Sequence, residues 1–251
     1  MAQLNPEIFV VLINLDRSKE RLARMQARLA QLGVDFARMP AVDGKVYKFT
    51  DLEFDEKGYA RRVGKRKNSG EIGCYLSHYN AINLFLESEK KFALILEDDA
   101  VFKPDFVEIL NRLAEIGGFW DFCKFNTSRD GGFGNIAVKD IFGQYKLYAS
   151  LFPKTLSAAY MINRKAAESM RAKLLPMRVT YDHEMIKFWK YGIRQYSVFP
   201  SPVSCEYADT TLGGYGVKTY KFPAYKRIPV LFYRIYTQIV RGLNFYKLLK
   251  K

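Results

Sequence analysis

Two apolar runs, each about as long as one β-strand, most constrain the fold of this chain. Residues 8–13 form the first run, which is rich in β-branched side chains, and residues 92–96 form the second. Continuous apolar runs of this length are typical of strands buried on both faces of a parallel sheet. After the first run, apolar residues recur at helical spacing, at Leu22, Met25, Leu29 and Leu32. Residues 34–39 predict a second strand, and a strand, a helix and a strand in this order open a doubly wound α/β fold.

The same alternation of elements continues along the chain. The patterns predict further helices and strands: helices over residues 69–88, 164–173 and 181–191, and strands over residues 121–126 and 157–162. The polar and basic segment 51–68 is predicted to be a loop. We therefore expect one α/β domain over residues 1–225, with a mostly parallel central sheet flanked by helices, followed by a tail over residues 226–251.

Charge and cysteine content narrow the classes of partner and compartment. Lys and Arg number 40 against 26 Asp and Glu, a formal net charge of +14. Such an excess suits an anionic partner, which can be a nucleic acid, a membrane surface or a phosphorylated small molecule. The three cysteines, Cys74, Cys123 and Cys205, lie far apart in the sequence, without zinc-ligand spacing, and suit a reducing compartment. With no signal-peptide pattern at the start, the expectation is a cytoplasmic protein.

The tail combines aromatic, aliphatic and basic residues. Its apolar residues fall on one face of a helix, at Phe232, Ile235, Tyr236, Ile239, Leu243 and Tyr246. Arg227, Arg234 and Arg241 fall opposite them. This pattern predicts a basic amphipathic helix suited to an anionic membrane surface, on the inner face of the cytoplasmic membrane. The alternative is an ordinary helix packed on its own domain.

Three consecutive acids, Glu97, Asp98 and Asp99, directly follow the second apolar run. Neighbouring carboxylates repel each other, and a bound Mg²⁺ or Mn²⁺ removes that repulsion. The carboxyl end of a strand is also where open α/β sheets bind ligands. Because alternate residues of an extended chain point the same way, Glu97 and Asp99 are predicted to share one face and hold the metal. No Gly-rich dinucleotide or P-loop motif is present, which disfavours a dehydrogenase or a P-loop NTPase.

Several spaced motifs, in order, resemble glycosyltransferase family 25, the bacterial lipopolysaccharide and lipooligosaccharide biosynthesis enzymes. The motifs are Val11-Leu12-Ile13-Asn14-Leu15-Asp16-Arg17 with Glu20-Arg21, Ala41-Val42-Asp43-Gly44, Gly70-Glu71-Ile72-Gly73-Cys74-Tyr75-Leu76-Ser77-His78, and Leu96-Glu97-Asp98-Asp99-Ala100. The resemblance covers residues 8–205. It implies a GT-A fold, a UDP-sugar donor, commonly UDP-galactose, and transfer with inversion.

The resemblance also implies roles for individual residues. Asn14, Leu15 and Arg17 would border the nucleotide, and Asp43 and Gly44 would contact the uridine and ribose. Glu97 and Asp99 would hold the metal, and Asp98 would lie near the donor sugar.

Simpler interpretations remain open for several of these residues. Asn14 can be a helix cap, and Asp43-Gly44 can be a turn. Gly73 and His78 are assigned to the donor site, but Gly73 also fits a close backbone approach, and His78 fits a hydrogen-bonded structural histidine.

Inversion needs a general base that deprotonates the acceptor hydroxyl. The segment Thr180-Tyr181-Asp182-His183-Glu184 offers two carboxylates, and the family has an aspartate in this region. Asp182 is our first choice as the base and Glu184 our second. Arg129 and Lys154 are candidates to clamp phosphate, and residues 207–217 are predicted to form a loop over the donor site.

The function expected from the sequence is an inverting, metal-dependent transfer of galactose from a UDP-sugar to a lipid-linked oligosaccharide. One alternative keeps the fold but changes the donor to glucose or an N-acetylhexosamine, or uses a soluble acceptor. A second, from another class, is a basic nucleic-acid-binding protein, although no nucleic-acid module signature is present.

Overall fold

The computed structural model describes residues 2–125, 134–153, 155–206 and 220–249. The strands are β1 (Ile8–Asn14), β2 (Ala37–Pro40), β3 (Phe92–Glu97), β4 (Ala100–Phe102), β5 (Phe122–Lys124), β6 (Asn135–Phe142), β7 (Tyr145–Ser150), β8 (Ala159–Asn163), β9 (Gln195–Phe199) and β10 (Val203–Cys205). The helices are α1 (Lys19–Gln31), α2 (Glu56–Val63), α3 (Ser69–Glu87), α4 (Phe106–Glu115), α5 (Arg164–Leu174), α6 (Tyr181–Glu184), α7 (Phe188–Tyr191) and α8 (Ile228–Leu249).

Eight of these strands form one central sheet in the order β2-β1-β3-β8-β5-β9-β7-β6. Its pairings make six of the eight strands run in one direction, with β8 and β7 opposite. Strands β4 and β10 pair separately as a small antiparallel sheet. The predicted fold class is confirmed in its architecture: the chain forms an α/β domain with a mostly parallel central sheet flanked by helices.

Strand register brings the polar ends of several strands to one edge of the sheet. In the parallel pair β1 and β3, Ile13 is opposite Glu97, so Asn14 and the acids after Glu97 end side by side. Strand β8 runs the other way beside β3, with Ala159 opposite Leu96. The start of β8 therefore lies at the same edge as the end of β3.

Helices cover the sheet with apolar faces that the sequence specifies. Helix α1 buries Met25 and Leu29, two residues of its predicted apolar stripe. Helix α3 is apolar on most of its circumference and is accordingly buried along most of its length. Its N-terminus is capped by Asn68, whose Oδ1 accepts a hydrogen bond of 3.0 Å from the Gly70 backbone N–H.

Two predicted segments differ from the structure. The segment predicted as a loop over residues 51–68 contains α2, which Asp55 caps by accepting a hydrogen bond of 2.7 Å from the Gly58 N–H. The segment has few apolar residues, so no helical period indicated the helix, which buries Tyr59. The helix predicted over residues 181–191 is divided into α6 and α7, because Lys187, with φ −95° and ψ 56°, leaves the helical conformation.

The predicted C-terminal helix is present as α8, and it contacts α2, α7 and β7. Val230, Arg241 and Leu248 are buried on its inner side. The apolar residues predicted for one face are all exposed: Phe232, Ile235, Tyr236, Ile239, Leu243 and Tyr246. Among the described helices, none combines the length and the hydropathy that crossing a membrane requires. The domain boundary after residue 225 stays a prediction.

Candidate functional site

The three predicted acids lie at the sheet edge where β1 and β3 end. Strand β3 stops at Glu97, and Asp98 and Asp99 follow in a turn. Glu97 and Asp99 both line two neighbouring cavities, whereas Asp98 lines only one of them. Asp98 thus differs from the other two acids in lining only the smaller cavity, and the assignment of Glu97 and Asp99 to a metal stays a prediction.

Asp98 is held by a hydrogen bond and an ion pair. Asn14 Nδ2 donates to Asp98 Oδ2 over 2.7 Å, and Arg21 Nη1 lies 2.7 Å from Asp98 Oδ1. Burial, with the nearby charge of Glu97, raises the pKa of Asp98 despite these two partners. Asn14 is 1% exposed and has a structural partner on each side, since its side chain also donates to the Ser18 carbonyl.

Asp99 has an unsatisfied acceptor. Its Oδ1 is buried and has no hydrogen-bond partner among the described residues. Its Oδ2 lies 3.5 Å from Arg21 Nη2. Burial, followed by the charge of Glu97, raises the pKa of Asp99 to about 6. A buried carboxylate oxygen without a donor, next to two further carboxylates, is the chemistry that a hard divalent cation relieves, so these residues fit a bound Mg²⁺ or Mn²⁺.

Glu97 ends a chain of buried hydrogen bonds. His78 Nε2 lies 3.3 Å from Glu97 Oε1, His78 Nδ1 lies 3.0 Å from the Tyr160 hydroxyl, and Tyr160 and Tyr181 hydroxyls are 2.7 Å apart. Because a carboxylate only accepts, His78 Nε2 carries a proton, and a neutral ring then accepts at Nδ1. Burial acts to raise the pKa of Glu97, but hydrogen bonds from His78 and Ser157 outweigh it and lower the pKa.

His78 itself is buried and stacked on Tyr181, with ring centroids 4.0 Å apart. It borders the smaller cavity, so its position agrees with both the structural and the donor-site interpretations. Ligand-type atoms of Cys74, His78 and Glu97 lie within 4.8 Å of one another. A thiol, an imidazole and a carboxylate form a softer ligand set than Glu97 with Asp99.

The smaller of the two cavities, about 330 Å³, contains most of the residues predicted to bind the donor. Its lining includes Asn14, Leu15, Arg17, Asp43, Gly44, His78, Glu97, Asp98 and Asp99. Arg17 and Asp43, both in this lining, form an ion pair, and Asp43 Oδ1 also accepts a hydrogen bond of 3.0 Å from the Lys45 N–H. The predicted donor residues are thus brought together around one cavity, with one exception.

Gly73 does not line this cavity and has a packing role instead. A Cβ added at Gly73 would lie 2.4 Å from the Val42 carbonyl oxygen, and one added at Gly44 would lie 1.9 Å from the Ser69 carbonyl oxygen. Both contacts are with backbone atoms, which cannot move aside as a flexible side chain can. The two glycines let the loop at residues 42–44 lie directly on the N-terminal turns of α3, which brings Asp43 to the cavity.

The larger cavity, about 780 Å³, also adjoins the acids. Cys74, Glu97 and Asp99 line both cavities. The larger one is otherwise bounded by α2, α6 and the inner side of α8, with Asp182 and His183 in its wall. The two cavities therefore meet at the acid cluster.

The two candidate bases have different environments. Asp182 lines the larger cavity, and its Oδ1 accepts from the His183 N–H over 2.9 Å. Glu184 is 3% exposed and is not among the lining residues of either cavity. Its carboxylate accepts from Lys187 over 2.5 Å, from Tyr191 over 2.7 Å and from Lys190. Glu184 is therefore unsuited to act as the base, contrary to the sequence-based prediction, because its oxygens are occupied in a buried ion-pair network.

Sequence reasoning missed three residues near the acids. Arg21 bridges Asp98 and Asp99, a role indicated only by its position one helical turn after Arg17. Ser157 hydrogen-bonds Glu97 because β8 runs antiparallel to β3, which the sequence did not reveal. Lys124, at the end of β5, is 1% exposed, and burial lowers its pKa to about 7 against the opposing charge of Asp182. Arg129, Lys154 and residues 207–217, also singled out from the sequence, lie outside the described residues.

Comparisons with known proteins agree with these motifs. Residues 6–130 match the family model described as "Glycosyltransferase family 25 (LPS biosynthesis protein)". A "Glycosyltransferase 25 family member" of Anopheles gambiae is 37% identical over 131 residues, covering 48% of this chain and 22% of that protein. The human "Procollagen galactosyltransferase 2" is 34% identical over 114 residues, covering 43% of this chain and 18% of that protein. The chain thus spans about a fifth of the length of these curated relatives.

Among solved structures, the "Crystal Structure of A197 from STIV" overlays with a TM-score of 0.42 at 12% identity, covering 76% of this chain and 80% of that chain. A likeness at this level has no bearing on function. The sequence match spans β1, α1, α3, β3 and the acid cluster, which are the elements around the smaller cavity. By the match over residues 6–130, the chain belongs to glycosyltransferase family 25.

Proposed function

We propose that this protein is an inverting, metal-dependent glycosyltransferase that moves a sugar, galactose in the first instance, from a UDP-sugar to a lipooligosaccharide acceptor. One observation carries the proposal: Glu97 and Asp99 lie where two separate cavities meet. A group-transfer enzyme needs a donor and an acceptor on opposite sides of the reacting atom. The acid cluster occupies that position between the cavities.

The smaller cavity suits the nucleotide diphosphate. Arg17 and Arg21 provide positive charge beside it, and guanidinium groups match phosphate oxygens well. Asn14 and Leu15 would border the nucleotide, and Asp43 with Gly44 would contact the uridine and ribose. We assign Asp98 to the donor-sugar side, where Asn14 and Arg21 keep its carboxylate in place.

Glu97 and Asp99 would hold the divalent metal, with the unpartnered Oδ1 of Asp99 as a ligand atom. When bound, such an ion supplies Lewis-acid stabilisation of the diphosphate leaving group. His78 orients Glu97 by its hydrogen bond, which in turn is supported by Tyr160 and Tyr181. His78, Tyr160 and Tyr181 thus orient Glu97, and none of them is assigned a proton transfer in the reaction.

Asp182 would take the proton of the acceptor hydroxyl as that oxygen attacks the sugar carbon from the side opposite the leaving group. It is the carboxylate of the α6 segment that faces the larger cavity. Inversion follows when the base and the leaving group lie on opposite sides of the reacting carbon, which the two-cavity arrangement allows.

The sugar and the acceptor are proposed from the names of relatives. The human and mouse relatives are named procollagen galactosyltransferases, which supports galactose over glucose or an N-acetylhexosamine. The family description mentions LPS biosynthesis, which supports a lipooligosaccharide acceptor. The exposed apolar residues on α8, together with the net charge of +14 of the chain, support peripheral contact with an anionic membrane surface.

The experiment that tests the proposal follows UDP release from a panel of UDP-sugars with Mn²⁺, Mg²⁺ or EDTA, in wild type and Asp99→Asn. We expect slow hydrolysis of one donor, lost with chelation and in the variant. If no UDP-sugar is bound or hydrolysed with either metal ion, the proposal fails, and nucleic-acid binding becomes the preferred alternative.

A further inference from the structure

Helix α8 presents a row of arginines to the larger cavity. Arg234 and Arg241 lie on α8, and Arg227 lies in the turn directly before it; because they are spaced seven residues apart, they fall on one side, and all three line the cavity. Six exposed apolar residues of α8 do not line the cavity and lie on the opposite side: Phe232, Ile235, Tyr236, Ile239, Leu243 and Tyr246. The inner side of this helix therefore forms a cationic wall that faces Asp182.

Arg241 is the buried member of this row. It is 6% exposed, its Nη1 donates to Gln238 Oε1 over 2.8 Å, and its guanidinium lies over the Trp189 ring at 5.4 Å from the centroid. Its Nε is buried with no hydrogen-bond partner among the described residues. Nor do those residues place a carboxylate within ion-pair distance of it. Burying a cation without a counter-charge is costly, and an anion bound in the cavity would remove that cost.

The cations around Arg241 divide into paired and available ones. Lys65 is paired with Glu71, and Lys187 is paired with Glu184. Arg227 and Arg234 have no ion pair within the described ranges, and both are exposed to the cavity. Desolvation lowers the pKa of His183, and the positive charges of Arg234, Lys187 and Lys65 lower it further against the charge of Asp182. The field at this end of the cavity is therefore positive.

We propose that the larger cavity binds an acceptor that carries a phosphate group, held by Arg241 and Arg234, an inference that rests on the proposed transferase function. A guanidinium presents paired donors that match two phosphate oxygens, and two arginines match a phosphate dianion or a diphosphate. The acceptor then spans the cavity, with its phosphate at α8 and its hydroxyl at Asp182. The phosphate can belong to a lipid headgroup or to a soluble phosphorylated sugar.

Trp189 provides a direct readout, because it lies beneath Arg241 and the chain has only one other tryptophan, the buried Trp120. The experiment titrates inorganic pyrophosphate and a hexose 1-phosphate into the full chain, without metal or nucleotide, and follows tryptophan fluorescence. We expect a saturable change in wild type, weakened at least tenfold in Arg241→Gln and also weakened in Arg234→Gln. The control Arg112→Gln, which removes an exposed guanidinium of α4, should respond as wild type does.

Circular dichroism and thermal unfolding of each variant establish that it is folded. If Arg241→Gln does not fold, Arg234→Gln, at an exposed position, decides the question. Equal affinity in wild type and in the folded variant, or no saturable change in wild type, would overturn the proposal.

Two further arms separate the sources of phosphate and the two proposals. In the first arm, bound pyrophosphate is displaced either by the hexose 1-phosphate or by phosphatidylcholine vesicles with and without phosphatidic acid. Displacement by the vesicles that contain phosphatidic acid supports a lipid phosphate. Displacement by the hexose 1-phosphate alone supports a soluble phosphorylated sugar. Calorimetry of UDP with Mn²⁺ on wild type measures the smaller cavity separately. If wild type does not bind UDP but its fluorescence responds to the phosphate probes, the transferase function is contradicted. If wild type binds UDP but its fluorescence does not respond to these probes, only the phosphate subsite is contradicted.

Discussion

Asn14 and Asp98 are joined by a hydrogen bond of 2.7 Å from Nδ2 to Oδ2, across the ends of two adjacent parallel strands. The pair is buried, and Asn14 is the only one of the two that can donate. Its amide therefore fixes the carboxylate that follows β3.

Asn14→Asp should damage this site more than the small change in shape suggests. It replaces a donor with a second carboxylate at hydrogen-bond distance, which raises the pKa of both acids and destabilises the fold by roughly 2–4 kcal/mol. Urea unfolding measures the loss, and it should be smaller at pH 4 than at pH 7, because one proton shared by the pair restores a hydrogen bond. A variant as stable as wild type at pH 7 would contradict the assigned role of Asn14.

Asp99→Asn should lower the turnover of the donor by at least about 100-fold, because a metal ligand contributes several kcal/mol of charge stabilisation. EDTA should reduce wild-type turnover to a similar level, and the variant should respond little to added Mn²⁺. The exposed Asp35→Asn serves as the matched control with unchanged turnover. Metal-independent turnover in wild type would remove the basis for this assignment.

Asp182→Asn and Glu184→Gln should fail in different ways. Removing a general base lowers kcat by roughly 100- to 10,000-fold and leaves donor KM and folding stability little changed. Glu184→Gln breaks a buried network with Lys187, Lys190 and Tyr191, which costs roughly 3–5 kcal/mol of folding stability. Kinetics combined with thermal unfolding distinguish the two patterns, and an Asp182→Asn enzyme with full kcat would exclude Asp182 as the base.

Substitution of Ile235 and Ile239 by Ser should weaken binding to anionic vesicles without altering the larger cavity. Both side chains are exposed, and neither lines that cavity. Burying each of them in a lipid surface contributes about 1.5–3 kcal/mol, so the double substitution should reduce vesicle affinity by more than tenfold. Co-sedimentation measures this. Deleting the whole tail is a poorer test, since α8 also forms a wall of the larger cavity.

Asp121 should contribute to stability in a pH-dependent way. It is 1% exposed and accepts from Arg194, Lys165 and Asn163; burial acts to raise its pKa, and these partners lower it to about 2 from 3.8. Because the folded pKa is depressed, the stabilisation, roughly 2 kcal/mol, is present above pH 3.8 and is lost as the pH falls through about 2. The difference in unfolding free energy between wild type and Asp121→Asn should therefore narrow between pH 5 and pH 2. The exposed Asp140→Asn should show a difference near zero throughout.

The sequence predicted the elements whose pattern is strong, because burial on both faces leaves continuous apolar runs in β1 and β3. It predicted the carboxylates by their position after β3, and the donor residues by resemblance. It did not predict α2, whose helical pattern is short and polar, nor that β8 runs antiparallel to β3. Strand direction depends on contacts across the sheet, and these leave no local pattern. For the same reason Ser157 and Lys124 were not recognised as neighbours of Glu97 and Asp182.

Glu184 shows why residue type alone is insufficient. Two carboxylates two residues apart look equivalent in the sequence, but on a helix such as α6 they lie about 200° apart and so do not face the same cavity. Lys187, by leaving the helical conformation, allows Lys190 and Tyr191 to reach Glu184, whereas Asp182 faces the larger cavity. The helical period therefore separates the two carboxylates, but it does not tell which of them faces the cavity, and the break between α6 and α7 leaves no periodic pattern.

The seven-residue spacing of Arg227, directly before α8, and of Arg234 and Arg241 on α8 constrains the number of residues in this segment. One residue inserted between Arg227 and Arg241 would rotate the following side chains by about 100°. Arg241 would leave Trp189 and the cavity, and apolar side chains now facing outward would turn toward the domain. A single substitution on α8 thus affects one side of the helix, whereas a single insertion or deletion would displace both the arginines that face the cavity and the apolar residues that face outward.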